Sequence, residues 1–150
     1  MVESENNKTK DRESICTYIQ ILQDVITRMG TNSSNIKALI AVIYTIFVTV
    51  IIAVNKLKEY CWIGLIIAFI GILMDTYYLA LERMYRKKYN KFLESVNENK
   101  IEEDKIFDMN PKGTDLKFEV LAEMLECCKS FSVWGFYILF IIITIVLKVI

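Results

Sequence analysis

Hydrophobic positions along the chain concentrate in three runs, Ile36 to Val54, Cys61 to Leu81 and Val133 to Ile150. Each reaches the roughly 17–25 residues that an α-helix needs to cross the apolar core of a bilayer. Before the first run the pattern changes from continuous to periodic. Ile15, Tyr18, Ile19, Leu22, Ile26 and Met29 recur at three- and four-residue steps, which predicts an amphipathic helix. Asp11 or Ser14 can cap it and Gly30 is placed to end it. Met1 to Lys10 has too little apolar surface to fold, and Thr31 to Asn35 reads as a polar hinge in which Asn32, Ser33 or Ser34 caps the first span.

After the second run, Glu82 to Asn97 contains no Gly or Pro and keeps apolar residues at Met84, Tyr85, Tyr89, Phe92 and Val96, so the helix is expected to continue past the membrane. A charged connection follows, with Glu102, Glu103 and Asp104 interrupted by Ile106 and Phe107, and Pro111 with Gly113 marks a turn. A further helix is predicted from Thr114 or Asp115 to about Ser130–Ser132. Phe118, Leu121, Leu125 and Cys128 form its inward face, and Lys117, Glu119, Glu123 and Glu126 its outward one.

The expected fold is an all-α integral membrane protein: a helical N-terminal segment over 1–35, spans over 36–54, 61–81 and 133–150, and a helical region over 82–132. Charge gives the orientation, because short cytoplasmic segments collect Lys and Arg. Lys8, Lys10, Arg12, Arg28 and Lys37 precede the first span and Arg83, Arg86, Lys87, Lys88 and Lys91 follow the second, against Lys56 and Lys58 in the loop between. The N-terminus is therefore expected on the cytoplasmic side of the membrane and the C-terminus outside. Residues 1–35 and 82–132 then form a small cytoplasmic lobe. The N-terminal helix should pack on this lobe rather than lie in the lipid headgroups, since Gln20, Gln23 and Asp24 leave its polar face only weakly basic. So small a lobe has little core of its own, and homo-oligomerisation is expected to supply the rest.

Composition narrows the chemistry. Of 150 residues 54% are hydrophobic, and the formal net charge is zero, which points to no particular partner. There is no histidine, no glycine-rich phosphate loop and no paired cysteine spacing, so an enzyme is not expected, nor a cofactor or a structural zinc. Cys16, Cys127 and Cys128 lie on the expected cytoplasmic side, where thiols stay reduced, and Cys61 sits alone at the outer edge. A polar N-terminus ahead of the first apolar run is unlike a cleaved signal peptide.

Three features could carry function. Ala41, Thr45, Thr49 and Ala53 make one small or polar stripe on the first span, and Gly64, Ala68, Gly71 and Asp75 make another on the second. Such stripes are helix-packing seams or, for Thr45 and Thr49, the lining of a water path. Asp75 is the one acidic residue inside a predicted span. It either marks an ion or proton path or pairs with Arg28 or Lys37 to anchor the first helix to the second. The basic run Arg83, Arg86, Lys87, Lys88 and Lys91 lies directly under the membrane. It sets topology and attracts anionic headgroups or, joined by Arg28, binds a phosphate-bearing ligand whose bases stack on Tyr85 and Tyr89.

Two stretches, LQDVITRMGTNSSNIKALIAV (Leu22 to Val42) and MDTYYLALERMYRKKYNKF (Met74 to Phe92), resemble a family of small bacterial membrane proteins. These proteins are encoded in anti-phage defence loci beside nucleotidyltransferase-type signal producers, and include the membrane subunit of the Hailong system and SLATT-like effectors. The resemblance implies an oligomeric channel, tetrameric in the Hailong-like case, whose gating by a nucleotide or oligonucleotide depolarises an infected cell. It casts Arg83, Arg86 and Lys87 as phosphate contacts. The leading expectation is thus a ligand-gated, homo-oligomeric ion channel. A non-conducting adaptor that docks a cytoplasmic protein and a holin-like lytic toxin are the alternatives.

Overall fold

The computed structural model of the chain describes residues 2–54, 59–98, 100, 107–110 and 116–149, with side chains from Arg12 onward except Leu116 and Lys117. The described residues form helices α1 (Val2–Ala53), α2 (Trp62–Asn97), α3 (Leu116–Cys127) and α4 (Phe131–Val149). α1, α2 and α4 are each long and apolar enough to cross a membrane. Lys56 and Lys58, the acidic run Glu102 to Asp104, Ile106 and the Pro111–Gly113 turn lie outside the described residues.

The main departure from the expected pattern is that α1 has no break. Helix extends from Val2 through Gly30 and the Thr31–Asn35 segment to Ala53, so neither the unstructured N-terminus nor the hinge exists. Once an apolar helix has nucleated, adding polar helical residues costs little, which explains the N-terminal extension. At the former hinge, tertiary contacts outweigh weak propensity. Thr31 Oγ1 bonds the Thr27 carbonyl at 2.9 Å, and Ser33, rather than capping a helix, donates to Asp75 on α2.

α1 and α2 form one antiparallel hairpin whose contacts descend in step. Gly64 approaches Phe47, Gly71 approaches Ile40, Asp75 meets Lys37, Glu82 lies over Gly30, Tyr89 meets Gln23, and Phe92 meets Tyr18. α4 packs against the apolar end of this hairpin. Ile40, Tyr44, Ala68, Val133, Tyr137 and Phe140 make the core there, with Tyr44 stacked on Phe140 at 4.4 Å between ring centres. The Tyr44 hydroxyl is satisfied by the Phe140 carbonyl and Thr144, each 2.6 Å away. Gly64 and Gly71 are needed for this closeness. A Cβ at Gly71 would stand 2.7 Å from the Tyr137 ring, and one at Gly64 2.8 Å from Thr144 Oγ1.

At the polar end Tyr18, Leu22 and Phe92 form a second core, with Tyr85, Tyr89 and Met109 against it. Residues 107–110 are clipped across it. Tyr18 donates to the Asp108 carbonyl at 2.6 Å, Lys88 pairs with the Asp108 carboxylate at 2.9 Å, and Lys88 also bonds the Asn110 carbonyl. α3 packs on α2 through Val120, Glu123 and Cys127, not through the face predicted from its periodicity. Phe118, Leu121 and Leu125 are exposed, and Glu123, expected outward, is buried because it pairs with Lys87 at 2.6 Å.

Candidate functional site

Two polar features share the α1–α2 hairpin. The first is buried within the apolar section. Asp75 has no exposure, and its carboxylate receives Lys37 Nζ at 2.7 and 2.8 Å and Ser33 Oγ at 2.5 Å. Lys37 and Ser33 are four residues apart on α1, and Ile40 and Tyr44 continue the same inward line, so the helix repeat carries polar groups to Asp75 and apolar ones to α4. Of the two partners that the sequence offers Asp75, Lys37 is the one that meets it, so the carboxylate ties α1 to α2. The Tyr137 hydroxyl of α4, also buried, has no hydrogen-bond partner among the described residues.

The second feature is an open groove of about 370 Å³ near the polar end, lined by Gln23, Ile26 and Thr27 of α1 and Arg86, Tyr89 and Asn90 of α2. Its volume lies at the low end of the range for small-molecule sites. Gln23 donates to the Tyr89 hydroxyl at 2.9 Å, which spans the groove floor from one helix to the other. Arg86 reaches Glu82 at 2.7 Å, but its side chain remains 62% exposed. An exposed pair at this helical spacing contributes only about 0.3–0.5 kcal/mol, so an incoming anion can displace the carboxylate.

The six basic residues singled out from sequence do not converge, and Lys91 is exposed on α2 outside the groove lining. Arg28 is exposed on α1 and lines no part of the groove; Arg83 is half-buried, near Cys127 of α3; Lys87 is committed to Glu123 and Lys88 to Asp108 and Asn110. Only Arg86 faces the groove. Successive residues of a helix point about 100° apart, so a run of adjacent cations fans out around α2 instead of forming a patch. Lys88 donates to Asp108 and holds that carboxyl below its usual range, burial raises the Tyr18 hydroxyl, and burial raises the Cys127 thiol although Arg83 opposes it.

Thr45 and Thr49 face away from α2 and α4, and each hydroxyl bonds a carbonyl of its own helix, Ala41 at 2.8 Å and Thr45 at 2.9 Å. The stripe Gly64, Ala68, Gly71 and Asp75 is wholly buried and is a packing seam inside the subunit. Sequence reading missed Gln23, Thr27 and Asn90, which carry no signal of their own, and the role of Ser33. That serine's four-residue offset from Lys37, on the line leading to Tyr44, was a usable clue. Among the described residues no three His, Cys, Asp or Glu side chains gather where they could hold a metal. Comparison with family models, curated proteins and solved structures finds no match for this chain.

Proposed function

We propose that the protein is an oligomeric ion-conducting membrane protein whose conductance is set by a nucleotide or oligonucleotide bound in the groove between α1 and α2, with that groove on the cytoplasmic side. The observation that carries this reading is the chemistry of the groove. An exposed guanidinium, a tyrosine ring and the amides of Gln23 and Asn90 provide, respectively, a phosphate contact, a stacking surface and hydrogen bonds for a base edge. Both helices that line it continue into the first two spans.

The groove also has a direct route to the buried pair. Arg86 holds Glu82, and Glu82 lies over Gly30, where a Cβ would come within 3.2 Å of its carboxylate. One to two turns further along the hairpin stand Ser33, Lys37 and Asp75. A phosphate that takes Arg86 frees Glu82 from its place between the helices, and any difference in ligand affinity between the two resulting arrangements shifts their populations. The exposed Thr45 and Thr49 supply hydroxyls on a face that this subunit does not cover, as a pore wall between subunits requires.

The groove and the Ser33–Lys37–Asp75 cluster both lie entirely within the two stretches, 22–42 and 74–92, that resemble the defence-associated membrane effectors. That resemblance extends the proposal to an anti-phage effector in the bacterial cell membrane. It would be a tetramer that depolarises the cell in response to a ligand made by a neighbouring nucleotidyltransferase. The binding half is tested by calorimetry on the detergent-solubilised protein with a panel of linear and cyclic nucleotide oligomers. Saturable binding that R86E abolishes and Y89A weakens about tenfold is expected, since a stacked base contributes ~1–3 kcal/mol. Binding that survives R86E in a folded protein would move the ligand site elsewhere.

A further inference from the structure

α3 carries its apolar residues on the wrong side for a lone subunit. Phe118, Leu121 and Leu125 are 78%, 60% and 65% exposed, whereas Val120, Glu123 and Cys127 face α2. With half-buried Cys128, the exposed residues follow the three- and four-residue alternation of a coiled-coil seam. The positions of this heptad opposite the seam are the ones occupied by Val120, Glu123 and Cys127. Of the flanking positions, Ala122 and Met124 in the middle of the seam carry no charge, and the cations Lys117 and Lys129 stand only at its two ends.

Lipid does not reach the whole seam. Glu123 is level with Lys87, and Cys127 lies near Arg83, so α3 runs antiparallel to α2 and rises toward the membrane. Lys87 is six residues beyond the end of the second apolar run at Leu81, about 9 Å along an upright helix. Phe118 is five residues further down α3 from Glu123, which places it roughly 17 Å from the apolar core and past the headgroups. With Leu121 and Leu125 it makes an apolar face that the bilayer does not fully cover, which suits a protein surface.

We infer that the occupant is α3 of a second copy of this chain, packed parallel along Phe118, Leu121 and Leu125 about an axis normal to the membrane, with Cys128, in the turn just after the helix, beside its counterpart. Copies with one topology in one bilayer are related by rotation about that normal, so upright α3 helices that meet must be parallel. Parallel pairing in register is what a self-complementary heptad seam provides. Three exposed apolar side chains on a twelve-residue helix fall short of the ~800 Å² that a stable soluble interface buries on each partner. The inferred pairing therefore needs contact between the spans of the two copies as well. This inference rests on the three-span oligomer proposed above but not on its ligand.

The experiment is disulfide trapping in native membranes, in a C16S/C128S background that retains the buried Cys61 and Cys127. Under mild oxidation L121C should form a cross-linked dimer, as should the C16S protein through its natural Cys128. E126C, exposed but off the seam, should not, because a disulfide requires closely approaching Cβ atoms. Cross-linking of E126C as efficient as that of L121C would overturn the assignment. So would a protein that stays oligomeric by light scattering while L121C and Cys128 remain uncrosslinked, which would leave the oligomer intact and remove only the seam. A protein monomeric in mild detergent and uncrosslinked in membranes would overturn both. As a second variant, L121D/L125D should insert normally, judged by carbonate extraction, yet lose the Cys128 cross-link.

Discussion

Replacing Lys37 with Met should be the most damaging single change in the apolar half of the molecule. Asp75 is fully buried and depends on Lys37 Nζ, 2.7 Å away, for its counter-charge, while Ser33 supplies one neutral hydrogen bond. Removing one partner of a buried ion pair typically costs ~3–5 kcal/mol, since the other charge is left unpaired in a low-dielectric setting. The reverse change is milder. The Lys37 side chain is 21% exposed and can extend toward the headgroups, and the amide introduced by D75N still accepts from Ser33. D75N should therefore cost about 1 kcal/mol, the value of a typical hydrogen bond. In the double variant the uncompensated charge is gone, so K37M/D75N should be more stable than K37M alone, with a coupling of about 2 kcal/mol. Equilibrium unfolding by SDS titration in mixed micelles resolves this, because 2 kcal/mol is nearly a thirtyfold change in the folded-to-unfolded ratio. If K37M and D75N cost the same and add in the double variant, Asp75 is not held by Lys37.

Three further outcomes follow from the packing. G71V should cost ~1–3 kcal/mol by overpacking against Tyr137 and Ile40, whereas G135A meets nothing closer than 3.8 Å and should be neutral or slightly stabilising; thermal unfolding in detergent compares them. Maleimide should label exposed Cys16 rapidly and Cys127 slowly, since Cys127 is buried and its thiol is raised above the ordinary range; mass spectrometry of the labelled protein reads both. Tyr18 donates its proton to the Asp108 carbonyl, and burial raises its pKa in the folded state. Its contribution is thus complete below about pH 10 and is lost as pH rises through the folded value, so Y18F should lack the alkaline loosening of residues 107–110 that hydrogen exchange detects in the parent.

The spans were legible in the sequence because apolar length is a one-dimensional property, and so was the uninterrupted passage of α2 to Asn97. The break at Gly30 was not real. Gly30 serves the approach of Glu82, and the polar residues after it are held helical by Asp75, a partner 42 positions distant from Ser33. Asp75 stands out in the sequence, with Lys37 among its candidate partners, but that Lys37 and not Arg28 meets it needed the facing helix. The basic run illustrates the opposite limit. Its residues are neighbours in sequence, yet Arg86, Lys87 and Lys88 answer three different carboxylates, and the groove instead draws Gln23, Thr27 and Asn90 from two helices. On α3 the periodicity marks an apolar face, but α2 takes the opposite side of the helix, because a pattern reports that residues share a face and not what lies against it.

Ion flux through liposomes containing the purified protein, with and without the nucleotide panel and beside the R86E variant, is the most direct test of a nucleotide-gated channel. The expected result is a flux that one class of oligomer switches on or off and that R86E leaves unresponsive, with larger dyes retained. No flux under any condition, in protein shown to be inserted and oligomeric, would contradict gated conduction and favour a membrane adaptor; leakage of large dyes would favour a lytic lesion.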